Sequence, residues 1–348
     1  MRALTVEPGV AQSARLESIA GAVGDVEGVL LSSLSVGICG TDAEIIAGDY
    51  GWAPPERSRL VLGHECVARV QSSAQGFREG EYVVPIVRRP DPLPCASCAA
   101  GEWDMCRNGG YTEHGIKQLD GFCAEQLTVN ADFLVRVPPE MGLLGVLVEP
   151  TSVVAKAWEQ IDRIGNRTHW DPRRVLVTGA GPIGLLAALL GIQRHLEVHV
   201  LDRVDTGAKP ALVRRLGADY LSGALQDLLT REPPDIVIEC TGADAVVLDV
   251  MRLNAPGAVT CLLGVSAAGR SRSVDISALN RTLVLENDVI FGSVNANRRH
   301  YDQAVSALNQ ADPEWLRKLI TRRVSLDQWR EGFARHSDDI KVVIDVAS

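Results

Sequence analysis

Two short stretches in the first fifth of the chain carry side chains that bind metals: "VGICGTDAE", Val36 to Glu44, and "LGHECVAR", Leu62 to Arg69. A thiolate, an imidazole and a carboxylate together suit zinc better than calcium or magnesium. A zinc held by about three protein ligands, with one position left open, works as a catalytic Lewis acid. Cys39, His64, Glu65 and the later Glu149 are the candidate ligands. Cys39 and His64 are 25 residues apart, so spacing alone does not bring them together. Singly, a buried thiol, a core histidine and a solvated helix-start acid account for each.

A second constellation lies further along, in "VLVTGAGPIGLLAALL". Gly179, Gly181 and Gly184 have G-x-G-x-x-G spacing, directly after a strand-like run and at the opening of a helix. Gly179 permits the tight turn, and Gly181 lets backbone approach a pyrophosphate. Gly184 lets helix and strand pack closely, while the helix that opens at Pro182 and Ile183 offers the free N–H groups of its first turn, Pro182 itself having none, to the anion. Asp202 follows Gly184 by 18 residues (202 minus 184) at the end of "VHVLDR". An acid there bonds ribose hydroxyls and repels a 2′-phosphate, favouring NAD, whereas Arg203 beside it could accommodate the phosphate of NADP.

These residues need elements to hold them. The first third is rich in Gly, Pro and short β-branched runs, which predicts an irregular, mostly-β domain. "RRPDPLPCASCAAGEWDMC" is too irregular for a strand or a long helix. "EPTSVVAKAWEQI" has helical apolar spacing at Val153, Val154, Ala157, Trp158 and Ile161. Five apolar strand-like runs follow, "RVLVTGAG", "VHVLD", "DIVIECTG", "AVTCLLGV" and "VIFGSVN", with helical segments between the early ones. That alternation predicts a doubly wound parallel sheet. The tail is helical in "YDQAVSAL" and "EWLRKLI" and closes on the strand "KVVIDV".

The 348 residues, 46% hydrophobic and 23% charged, suit a soluble protein of two domains. A net charge of −9 argues against nucleic-acid and anionic-membrane surfaces. No apolar run is long enough to span a bilayer and "MRALTVEPG" has no signal-peptide core, so a cytoplasmic protein is expected. In that compartment the eight cysteines are ligands or buried small residues rather than disulfides. Cys66, Cys123, Cys240 and Cys261, in apolar surroundings, are expected to be buried.

Taken together, "CGTD", "GHE" and "GAGPIG" resemble the zinc-dependent medium-chain dehydrogenase/reductase superfamily along essentially the whole chain. The resemblance implies an α/β protein with a GroES-like catalytic domain at 1–150, completed by 296–348, and a Rossmann NAD(P)-binding domain at 151–295. It makes Cys39 and His64 zinc ligands, with Glu65 and Glu149 completing the set. "AGDYGWAP", "VVPIVRRP", "CRNGGYTEHGI", "DGFCAEQL", "VLVEPTSVVAKA" and "FGSVNANRRHY" are similar to the glucose 1-dehydrogenase branch. That likeness places Glu113, Glu149 and Asn295 against sugar hydroxyls and Thr41 beside the reacting oxygen. Arg88 and Arg89 either shape that pocket or are simply solvated. Cofactor contacts are expected at Thr241, Gly264, Val265, Ser293 and Asn295, with Lys341 reaching towards the phosphates or ribose. Many members carry a four-cysteine lobe around a structural zinc. Here Gly101 and Gly109 replace two of the four, leaving Cys95, Cys98 and Cys106, with Asp104 as the nearest hard ligand.

The chemistry implied is hydride transfer from C1 of an aldose to NAD(P)+, giving a lactone. Zinc supplies the Lewis acid, and Thr41, which both donates and accepts, passes the hydroxyl proton outward. The alternative is a dehydrogenase of the same fold acting on a polyol, cyclitol or secondary alcohol. A nucleotide-binding redox sensor or a zinc-free enone reductase has no use for the two metal motifs. The family usually forms dimers or tetramers, so a homo-oligomer is expected.

Overall fold

The computed structural model describes residues 1–223, 233–252, 254–266 and 272–347. Two compact units emerge: Met1–Ser152 with Asn295–Ser348, and Val153–Val294. The chain passes from the first to the second within the helix Val148–Gly165.

The first unit is built on an eight-stranded sheet. Val29–Gly37 is its hub, pairing antiparallel with Glu65–Val70 on one side and Gln126–Val129 on the other. The strand Lys341–Asp345, from the far end of the sequence, also pairs with this hub, setting Ile344 opposite Val36. Alternating apolar side chains on these strands, among them Leu31, Ala68, Leu127 and Ile344, meet in one core that also takes in Trp329. The tail therefore supplies part of the wall of the first domain.

The second unit is a six-stranded, all-parallel sheet. In space the strands run Asp219–Leu221, Glu197–Leu201, Arg174–Thr178, Ile236–Glu239, Val259–Leu262 and Val289–Gly292. In chain order this is 3-2-1-4-5-6, the doubly wound nucleotide-binding arrangement. The helix Pro182–Gln193 is apolar on every side and buried from Gly184 to Gly191, as a helix packed on the middle of such a sheet must be. Five of these strands coincide with the five apolar runs of the sequence, and the sixth, Asp219–Leu221, lies outside them. This edge strand is three residues long and lacks the apolar run that betrays a buried one.

Candidate active site

Cys39 is the N-cap of the helix Gly40–Ala47, and its own N–H donates to Asp42 Oδ2 at 2.9 Å. This reciprocal cap ties the thiol to the first helical turn. His64 and Glu65 sit at the start of Glu65–Val70, the strand next to the hub. The fold thereby closes the 25-residue gap: the ligand atoms of Cys39, His64 and Glu65 all lie within 4.8 Å of one another. His64 and Glu65 are only 5% and 2% exposed. Gly37 makes room for this cluster, because a Cβ on it would stand 2.1 Å from Glu65 Oε2. Thr41 Oγ1 is 3.9 Å from Cys39 Sγ.

Two buried groups support the cluster. Asp42 Oδ1 lies 3.3 Å from His64 Nδ1, where a carboxylate fixes the tautomer and leaves Nε2 for a metal. Burial disfavours the His64 charge, but Asp42 outweighs it and holds the imidazole well above its ordinary range. Lys341 donates to Glu65 Oε1 at 2.8 Å, to Glu65 Oε2, and to the Ile38 carbonyl at 3.1 Å. At 2% exposure, its ammonium is committed to Glu65 rather than presented free to a phosphate or ribose, and the expected cofactor contact is corrected accordingly. Glu149 is not part of the tight three-residue group, yet it is buried beside it. Burial first, and then the charges of Glu65 and Asp42, push its carboxyl up to about 7 against the pull of His64 and Lys341. One thiol, one imidazole and the carboxylates of Glu65 and Glu149 thus gather in a largely buried site beside the Lys341 ammonium. That donor set, soft sulfur with nitrogen and oxygen, fits a divalent, thiophilic cation such as zinc.

Glu113 anchors a second cluster in the same unit. Its Oε1 accepts from Arg88 Nε at 3.0 Å, Arg88 Nη2 at 2.9 Å and Asn295 Nδ2 at 2.6 Å. Register makes this inevitable, since Arg88 and Glu113 are directly paired across antiparallel strands. Arg88 also lies 3.8 Å over the Tyr111 ring. Arg89, on the opposite face, stacks on Phe133 at 4.0 Å. Neither arginine is solvated, as one reading of the sequence held, for both are buried. Asn295 holds a left-handed backbone, φ 60°, and uses its Oδ1 to accept from the Ala296 N–H.

The Sγ atoms of Cys95, Cys98 and Cys106 also lie within 4.8 Å of one another. N–H donation, led by that of Arg107 at 3.3 Å, pulls the Cys95 thiol down to about 6. Asp104 does not join them, which corrects its expected place as fourth ligand. It is buried in the turn Trp103–Met105, its Oδ1 accepts from Asn297 Nδ2 at 2.7 Å, and its carbonyl accepts from Arg88. Of the four other cysteines, Cys66, Cys123 and Cys261 are buried and Cys240 is half-buried.

In the second unit, Gly179 has φ 88° and Gly184 presses so closely on it that a Cβ would stand 1.8 Å from the Gly179 carbonyl oxygen. Gly181 caps the helix with nothing near its missing Cβ, and Pro182 and Ile183 follow as its first turn. A cleft of about 990 Å³ opens beside this turn, lined by Gly179, Asp202, Arg203, Lys209 and Thr241 among others. Asp202 Oδ2 accepts from the Ala180 N–H at 2.7 Å. Thr241 N donates to the buried Glu239 at 2.7 Å, and Gly264 packs so tightly on Gly242 that a Cβ would meet its nitrogen at 2.1 Å. Val265 is exposed, and the Ser293 hydroxyl has no partner among the described residues.

The family model for the alcohol dehydrogenase GroES-like domain matches residues 25–139, and that for the glucose dehydrogenase C-terminus matches 142–346. The chain belongs to the zinc-dependent medium-chain dehydrogenases, in their glucose dehydrogenase branch. It is 40% identical to glucose 1-dehydrogenase 2 of Vulcanisaeta moutnovskia, over 99% of both chains. It is 34% identical to glucose 1-dehydrogenase of Methanocella arvoryzae, over the whole of both. The glucose dehydrogenase of Haloferax mediterranei, solved with NADP, zinc and gluconolactone, superposes with a TM-score of 0.92 at 30% identity, covering both chains fully.

Sequence reasoning missed Asp42, the pairing of Arg88 with Glu113, and Lys209. Asp42 did leave a signal, for an acid three residues after a cap residue is a capping pattern even when cysteine takes the cap.

Proposed function

We propose that this chain oxidises C1 of an aldose, with a dinucleotide as hydride acceptor and zinc as Lewis acid, and releases a lactone. The observation that carries the reading is the convergence of Cys39, His64 and Glu65, with Glu149 beside them, in a chain whose full-length relatives are glucose 1-dehydrogenases. Cys39, His64, Glu65 and Glu149 would hold the zinc, which supplies Lewis acidity that eases loss of the sugar's hydroxyl proton. Thr41, beside Cys39, accepts that proton and hands it on, its hydroxyl being both donor and acceptor. Glu113 and Asn295 orient the sugar. All the donors described above converge on Glu113 Oε1, which leaves its other oxygen for a sugar hydroxyl. A substrate lacking that hydroxyl strands a buried acceptor, which discriminates against it. Gly179, Gly181 and Gly184 with the start of the helix at Pro182 receive the pyrophosphate, and Asp202 with Arg203 faces the ribose.

NADP joins NAD as an acceptor, because the Haloferax relative carries it. The thiols of Cys95, Cys98 and Cys106 would hold a structural zinc without Asp104. A homo-oligomer and a cytoplasmic location belong to the same proposal, the latter supported by eight free cysteines. The test is reduction of NAD+ and NADP+ at 340 nm with glucose, galactose, xylose, a cyclitol and a secondary alcohol, before chelation, after it and after zinc is restored. Aldose turnover lost on chelation and regained with zinc is the expected result. Turnover of alcohols alone, or turnover indifferent to chelation, overturns it.

A further inference from the structure

The 990 Å³ cleft of the second unit holds charges that oppose each other over one question, whether a 2′-phosphate is admitted. Asp202 is the residue that would exclude it, and every donor on its carboxylate is in view. Oδ2 accepts from the Ala180 N–H at 2.7 Å and from Lys209 Nζ at 3.2 Å. Oδ1 accepts from the Arg203 N–H at 2.6 Å. Lys209 lies in the first turn of the helix Ala208–Arg215, seven residues past Asp202, and is 21% exposed in its side chain against 12% for Asp202. Arg203, also lining the cleft, has no acid partner among the described residues. Asp205 and Asp249 line it as well, so the cleft is not simply basic.

We infer that Lys209 is a specificity-determining residue that lets this cleft take a 2′-phosphorylated adenosine despite Asp202. The inference rests on the reading of this cleft as the dinucleotide site. An unpaired Asp202 facing a 2′-phosphate sets like charges together, whereas Lys209 neutralises the acid where it stands. The amine keeps two further N–H donors, which an incoming phosphate can accept while Arg203 approaches from the strand end. With a bare 2′-hydroxyl the same Asp202 oxygen accepts from the ribose, and Lys209 is not required. The pair thus serves both cofactors, where a lone acid would serve NAD alone.

The test is calorimetric titration of the full chain with 2′,5′-ADP and with 5′-AMP, which need neither sugar nor zinc. In Lys209→Met, the ratio of the 2′,5′-ADP Kd to the AMP Kd is expected to rise about tenfold or more, the worth of one lost charge-assisted bond. Lys209→Arg keeps the ratio near that of the parent. Adding Asp202→Asn to Lys209→Met brings the ratio back down, because no acid is left to neutralise. An unchanged ratio in Lys209→Met refutes the role of Lys209 while leaving the nucleotide site standing. A raised ratio that Asp202→Asn does not lower refutes neutralisation as its cause. Parent protein that binds neither nucleotide sinks the reading of the cleft and this inference with it.

Discussion

Asp42 shows how much one supporting side chain decides. It caps the helix that presents Cys39 and also faces His64, so a single buried carboxylate sets two of the candidate zinc ligands. Replacing it by alanine leaves the His64 tautomer unfixed and the Cys39 N–H without its acceptor. Zinc affinity of Asp42→Ala, measured by competition with a chromogenic chelator, should fall about 10–100-fold, as such supporting partners usually cost. Unchanged affinity would mean that His64 is oriented by something else. At the same scale lies the clearest gain over the sequence. Glu113 stood out in the sequence as a candidate, but its pairing with Arg88 did not, because a charged residue beside a Pro-rich loop is ordinarily solvated. Only strand register puts Arg88 across from Glu113 and buries both.

Elements fix the second set of expectations. The turn from Thr178 into the helix Pro182–Gln193 was readable from its glycine spacing. Two of the three glycines answer a steric demand within the protein, Gly179 through its positive φ and Gly184 through its close packing, while nothing stands near the missing Cβ of Gly181. Gly184→Ala would drive a methyl into the Gly179 carbonyl oxygen, 1.8 Å from the built Cβ. Backbone cannot yield as a side chain does, so the helix must move off the strand, at about 1–3 kcal/mol. The expected outcome is weakened AMP binding by calorimetry, roughly tenfold or more for a cost of that size, with the zinc content of the first unit unchanged. Full AMP affinity in this variant would show that the loop tolerates a displaced helix. The missed strand Asp219–Leu221 belongs here too. Periodicity detects a strand through its apolar run, and a three-residue edge strand with a half-exposed face has none.

For the whole molecule, titration of a buried histidine makes stability depend on pH. His114 is fully buried, donates through Nδ1 to the Asp120 carbonyl at 2.7 Å and packs against Phe122 at 4.6 Å. Burial, with Arg89 nearby, pushes its pKa down to about 3 from an ordinary 6.5. Its folded value lies below its unfolded one, so the folded state binds fewer protons. The stability it contributes is complete above pH 6.5 and is lost progressively as pH falls towards 3. The loss should reach a few kcal/mol, read from urea midpoints between pH 7 and 4. His114→Gln should flatten that slope, and an identical slope would show that other groups cause it.

The sequence by itself determined the fold class, the glycine turn, the two metal motifs and the order in which they occur, since each depends on residue type and short-range spacing. Tertiary structure alone decided which of those residues meet. Cys39 and His64, 25 positions apart in the chain, are joined by strand pairing. Lys341 arrives at Glu65 only because the last strand adds to the first domain's sheet. Asp104, close in sequence to the thiols, is carried away from them by its turn, and Lys209 reaches Asp202 because a helix starts where it does. Contacts of this kind follow from burial and register, which no local window of sequence contains.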